Sequence, residues 1–199
     1  MQDWIIRLVE WGGYWGIALL MLLETVFPPI PSEVIMTVAG VSAQRGSMSL
    51  GGAILAGSAG AMIGNYFWYW LAIKFGDARL ERLLDKHSRW LTLEWDDVER
   101  GERLFARHGA VIVLVGRMLP TLRSLISIPA GLFHLSLRRF LIFSAIGTCG
   151  WSAALAGAGY FLGSQVEDVE RWLGPISTTI IALIVIFYLW RVITWRPRS

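Results

Sequence analysis

Cysteine is nearly missing from this 199-residue chain, which holds Cys149 alone. One cysteine excludes a disulfide framework or a cysteine metal site within a single chain. Set in an apolar segment, it reads as a small packing residue. Histidine is almost as scarce: His87, His108 and His134 are scattered without metal-type spacing, so neither metal nor cofactor is expected. Charge is the third shortage, at 17% of residues with a net +3. Acids and bases interleave between Asp77 and Arg107, the pattern of a solvated helical face; no nucleic-acid partner is expected.

What is present is apolar. Hydrophobic residues make up 55% of the chain, with 11 tryptophans and a mean hydropathy of +0.53. That composition places a single domain of this length in a membrane. Residues 50–73 and 140–163 carry no charge over 24 positions each, and residues 172–190 none over 19. Each run can cross a hydrocarbon core of about 30 Å at about 1.5 Å per residue. Four other apolar pieces, 11–23, 34–44, 108–116 and 124–137, are shorter. Their lengths suit re-entrant segments better than full spans.

The N-terminal stretch "MQDWIIRLVEWGG" has acids and no small-residue cleavage site, so it does not read as a secretory signal. Trp4, Leu8 and Trp11 share a helical face with Ile5 beside them, which suits a short amphipathic helix at the membrane surface, or the frayed start of the first apolar segment. Residues 77–107 suit a cytoplasmic region of two amphipathic helices, or a plain polar connector. Basic residues orient the chain. Arg191, Arg196 and Arg198 put the C-terminus in the cytoplasm, and Arg138 and Arg139 put the start of 140–163 there too. Residues 50–73 then run from outside to inside.

The short pieces pair around polar, proline-containing breaks. In residues 11–48 the break is "ETVFPPIPSE", with Pro28, Pro29 and Pro31; in residues 108–137 it is "RMLPTLR", with Pro120. Proline removes a backbone donor and pushes its predecessor out of helical geometry. Such backbone survives at membrane depth only inside protein or along a wet cavity. Each pair is therefore expected to be a re-entrant helical hairpin. "FPPIPSEVIMTVAG" (27–40) also resembles "LPTLRSLISIPAG" (119–131), and each precedes a glycine-rich span. The expected fold is an all-α polytopic membrane protein: two opposed re-entrant hairpins in an inverted repeat, about three full spans, and amphipathic surface helices. The GxxxG spacings Gly60/Gly64 and Gly159/Gly163 suit close helix packing within the chain, or a homodimer face.

The first break carries Glu24 and Glu33; the second carries Arg117 and Arg123. Ionisable residues at membrane depth are functional candidates. Two guanidiniums suit a bidentate grip on phosphate, and a half-helix beginning near Arg123 would add its N-terminal N–H groups. The glutamates suit an ion pair with the arginines, or proton coupling through a desolvated carboxylate. A purely structural salt-bridge network is the competing reading.

Three elements carry a family resemblance: "ETVFPPIPSE" at 24–33, "FARHGAVIVLVGRMLPTLRS" at 105–124, and "PAG" at 129–131. Together they resemble the DedA family, whose core is the VTT or SNARE-associated domain. The resemblance implies a multi-pass protein of the bacterial inner (cytoplasmic) membrane. It further implies transport of a membrane phospholipid or polyprenyl phosphate, with protons as a coupling ion. The family's important positions fall on Glu24, Glu33, Arg117 and Arg123. Where many members carry Gly-Asp in the first span, this chain has Gly64-Asn65, which puts an acidic coupling role there in question.

The expected function is a flippase for a phosphate-bearing lipid, undecaprenyl phosphate first. A broad phospholipid scramblase, a membrane lipid phosphatase and a structural assembly factor are the alternatives. No Ser/His/Asp constellation or metal cluster accompanies the arginines, so an enzyme is not expected. The topology makes its own prediction. Cysteines placed singly at Ser47 and Ser88, without Cys149, will differ in intact cells: an impermeant thiol reagent labels the first and spares the second. Equal labelling contradicts the orientation.

Overall fold

A computed structural model describes residues 3–27, 32–76, 95–119 and 122–162. Pro28, Pro29, Pro31 and Pro120 lie outside the described residues, as do the expected span 172–190 and most of the amphipathic region 77–107. Every described element is an α-helix: α1 (Asp3–Val26), α2 (Ser32–Gln44), α3 (Leu50–Phe75), α4 (Trp95–Met118), α5 (Ser127–Leu132) and α6 (Leu137–Leu162). Leu137–Leu162 is long and apolar enough to cross a membrane, whereas Ile5–Val26 reaches that length only when counted across a break at Gly13.

Helix α1 is broken at Gly13, whose φ of 51° lies in the left-handed region that glycine enters freely. The chain folds back there, so that a Cβ on Gly16 would overlap the Leu8 carbonyl. The reversal brings Ile5 and Val9 into one core with Ile17, Leu20 and Met21. The inward face of the N-terminal segment is therefore Ile5 and Val9, while Trp11 is 97% exposed. Trp15, at 86%, and Phe161, at 81%, also point outward. Outward-facing aromatics of this size suit lipid contact and are unfavourable in water.

Helix α3 begins at Ser49, whose Oγ accepts the Gly52 N–H at 3.0 Å. Tyr14 reinforces this end by accepting the Ser49 N–H at 2.8 Å. Lipid offers no hydrophobic drive between helices, so packing depends on close approach. Gly60 lies on the Ala18 carbonyl and joins α3 to α1; Gly40 and Gly159 lie on the Ala156 and Thr37 carbonyls and join α2 to α6. Gly60, Gly64 and Gly159 thus all pack within the chain.

Helix α4 runs without a break through residues 107 and 108, so the change there from charged to apolar is a change of surface along one helix. A second core forms around Tyr69, Phe105, Val113 and Phe140. Tyr69 stacks on Phe140 with ring centres 4.3 Å apart, and its hydroxyl donates to the Leu135 carbonyl at 2.5 Å. That pair pins the short α5 and the turn after it against α3 and α6.

Adding a methyl at Gly60 forces α1 from α3. Gly60→Ala should lower stability by about 1–3 kcal/mol. Gly150→Ala, where an added Cβ meets nothing within 4 Å, should leave it unchanged or slightly raised. Thermal unfolding in detergent compares the two; equal melting temperatures would contradict the close α1–α3 contact.

Candidate functional site

Close packing of small residues assembles the polar site. At Gly64 an added Cβ would lie 2.7 Å from Thr25 Cβ, so the end of α1 reaches the level of Asn65. At Gly147 it would lie 2.7 Å from Arg117 Cβ, so that side chain enters between α4 and α6. Trp68 ties the same region together, donating its indole N–H to the Thr25 carbonyl at 3.0 Å.

Arg117 ends α4 and is only 2% exposed. A guanidinium has five N–H donors and cannot shed its charge, so burial requires acceptors. Nη1 donates to Asn65 Oδ1 at 2.6 Å and to the Arg123 carbonyl. Nη2 donates to Ser127 Oγ at 2.7 Å and to Ser144 Oγ at 3.3 Å. Its plane lies near the Phe140 ring, 5.7 Å from the centre, a favourable arrangement for a cation. The fifth donor, Nε, is buried without a partner. All of these acceptors are neutral; among the described residues, no carboxylate pairs with Arg117.

Arg123 is different. Its Nη2 forms an ion pair with Glu24 Oε1, across 99 residues of sequence. Thr25 Oγ1 donates to the Met21 carbonyl at 2.8 Å and lies 3.4 Å from the other Glu24 oxygen. This pair joins the ends of the two proline-containing elements. Arg123 does not start a half-helix: its N–H donates to the Leu119 carbonyl at 3.0 Å, and α5 begins only at Ser127. The expected contribution from helix N-terminal N–H groups is therefore corrected. The local turn consumes the donor that such a site would need.

Glu24, Asn65, Arg117, Arg123, Thr148 and Trp151 line a cavity of about 20 Å³ between these groups. That is room for a single water and too little for a phosphate. Glu33, in the first turn of α2, does not line it and makes no ion pair among the described residues. It acts on Glu24 only through space, as a like charge. The sequence reading did not single out Ser127, Ser144, Thr148 and Trp151. A signal for three of them exists: Ser144, Thr148 and Trp151 recur at helical spacing on one face of an otherwise apolar span.

A protein-family model, the VTT domain, matches residues 30–161. The chain belongs to the VTT-domain family. It is a DedA-type membrane protein, as the motifs implied. Undecaprenyl phosphate transporter A of Staphylococcus aureus is 31% identical over 201 residues, covering 100% of this chain and 99% of the relative. Its Bacillus subtilis namesake is 33% identical over 189 residues, covering 94% and 91%. A Lactococcus lactis protein named alkaline phosphatase-like is 33% identical over 190 residues, covering 95% and 89%. No solved structure matches the chain. Asn65, Arg117, Arg123 and Trp151 fall inside the VTT domain, and Glu24 lies just before it.

The two arginines therefore differ in what they hold up. Lysine at 117 cannot serve acceptors on both sides of a planar fork, and each buried group left unsatisfied costs about 1–3 kcal/mol. Arg117→Lys should lower the melting temperature clearly, while Arg123→Lys, which keeps a cation opposite Glu24, should lower it little. Thermal unfolding of the two purified variants checks this; equal losses would contradict the division of roles.

Proposed function

We propose that this membrane protein carries a phosphate-bearing lipid between leaflets, with undecaprenyl phosphate as its substrate. It acts as a transporter without chemical conversion, in the bacterial cytoplasmic membrane with its C-terminus inside. The relatives named undecaprenyl phosphate transporter support the substrate class. One observation in the fold carries the reading: Arg117 is buried on neutral acceptors with its Nε vacant, and the only carboxylate paired in the site is the one on Arg123, counting the described residues. Two guanidiniums against one paired carboxylate leave a positive site, suited to an anion with several acceptor oxygens.

The paired arrangement is the closed state. Phosphate and Glu24 compete for Arg123, because the cavity between them has no room for both. Opposed re-entrant hairpins, with their polar tips meeting at this ion pair, would let the site open toward either leaflet. When phosphate takes Arg123, the released Glu24 would stand buried without its cation, and taking up a proton removes that charge. Lipid binding is then linked to proton uptake even with the neutral Asn65 in place of an acid.

Liposomes carrying the purified protein and labelled undecaprenyl phosphate in one leaflet test the reading. Intact lipid should cross at a rate that Arg123→Gln reduces at least tenfold, with phosphatidylcholine left behind. Equal movement of phosphatidylcholine would make it a broad scramblase. Release of inorganic phosphate would favour the chemistry in the Lactococcus relative's name, and no movement at all would favour an assembly role. Because binding takes up a proton, affinity should fall as pH rises, by up to about tenfold per unit for one proton. In a Glu24→Gln, Glu33→Gln double variant that slope should flatten, and identical slopes would remove the glutamates from the coupling.

A further inference from the structure

Trp151 lies on α6 one turn beyond Gly147, the residue that admits the Arg117 side chain. It lines the same cavity as Arg117, Arg123 and Glu24. Its indole Nε1 is buried with no acceptor. An indole N–H can only donate, and leaving it unpaired away from water is unfavourable, so a buried orphan calls for a missing acceptor. Arg117 Nε is a second orphan donor on a residue lining this cavity. The two residues line one small cavity, and each keeps a buried donor for which the described residues offer no acceptor.

Polar neighbours of Trp151 on α6 differ: Ser152 Oγ, on the next residue, is also buried without a partner. Ser144, two turns before Trp151, serves Arg117 Nη2. Trp68 shows what an indole in this protein does when an acceptor is in reach, donating to the Thr25 carbonyl. Trp151 has a ring placed like a lining residue and a donor left unassigned.

We infer that Trp151 is a ligand residue of the phosphate site, donating its indole N–H to a phosphate oxygen alongside Arg117 Nε and the Arg123 guanidinium. This rests on the transport reading and adds a residue to its site. The three donors come from α4, the turn after it, and α6, so a bound phosphate is held from two separate helices. A neutral donor among the cations adds direction without adding charge. It favours an oxygen acceptor at one position over any anion of the right size. The lipid and free phosphate share this chemistry, and only the lipid adds a hydrocarbon tail.

Binding of farnesyl monophosphate to the detergent-solubilised protein, with farnesol and inorganic phosphate as comparisons, tests the assignment. Trp151→Phe keeps an aromatic ring and removes the donor. It should weaken farnesyl monophosphate binding about tenfold, as expected for a lost hydrogen bond to a charged group, and leave farnesol binding unchanged. If the tail is part of recognition, inorganic phosphate should bind more weakly than farnesyl monophosphate and lose affinity by a similar factor in the variant. Parent-like affinity in Trp151→Phe, with Arg123→Gln weakened, overturns the role of Trp151 and leaves the transport reading standing. Parent-like affinity in both variants overturns the transport reading and this inference together. Should Trp151→Phe fail to fold, the unaltered protein decides through its 11 indole N–H groups labelled with nitrogen-15. Farnesyl monophosphate, and not farnesol, should shift an indole resonance downfield; no shift overturns the proposal.

Discussion

A guanidinium removed from water keeps its charge, and the effective penalty is several kcal/mol unless its donors are met. Arg117 imposes that demand on the centre of this protein, and much of the surrounding structure answers it. Asn65 comes from α3, Ser127 from α5, Ser144 from α6, and the Arg123 carbonyl from the turn after α4. One side chain thus ties four segments to a common point. Displacing any of them would strand a buried donor. The short α5, too brief to be stable alone, gains part of its placement from this bond and part from Tyr69 and Leu135.

Reaching that point requires backbones to come close. In hydrocarbon, water does not push apolar surfaces together, so contact area and polar bonds must hold the helices. The glycines at 60, 64 and 147 bring α1, α3, α4 and α6 near enough for side chains as short as Ser144 and Asn65 to reach the guanidinium. The apolar outward faces and the polar centre are two consequences of one solvent. Lipid tolerates Trp11 and Phe161 on the outside, and it obliges every ionised group to find company within.

The two arginines are held by opposite means. Arg117 has neutral acceptors for its Nη donors, and its Nε is left over. Arg123 has one anionic partner, at a cavity with room for one water. An acid at position 65 would have given each arginine its own carboxylate. With asparagine there, Arg117 keeps its hydrogen bond and the site keeps a positive charge.

The residue string by itself determined the class and the raw material. Charge-free runs at 50–73 and 140–163 correspond to helices α3 and α6, because hydrocarbon dictates both composition and length to whatever lies in it. Glu24, Arg117 and Arg123 stood out because ionised residues are rare in such a chain, and rarity at membrane depth is itself a signal. That a glutamate of the first break meets an arginine of the second was legible; which meets which was not. That Arg123 takes Glu24, that Arg117 takes Asn65 and two serines, and that Glu33 stands apart depend on helix approach and rotation, which no local pattern encodes. The fold-back at Gly13 was hidden for a related reason: glycine permits a left-handed turn without requiring one. Trp151 was hidden because indoles are common here and apolar enough to pass as packing. Only tertiary structure, by surrounding its N–H and offering no acceptor, distinguishes it from the other described tryptophans.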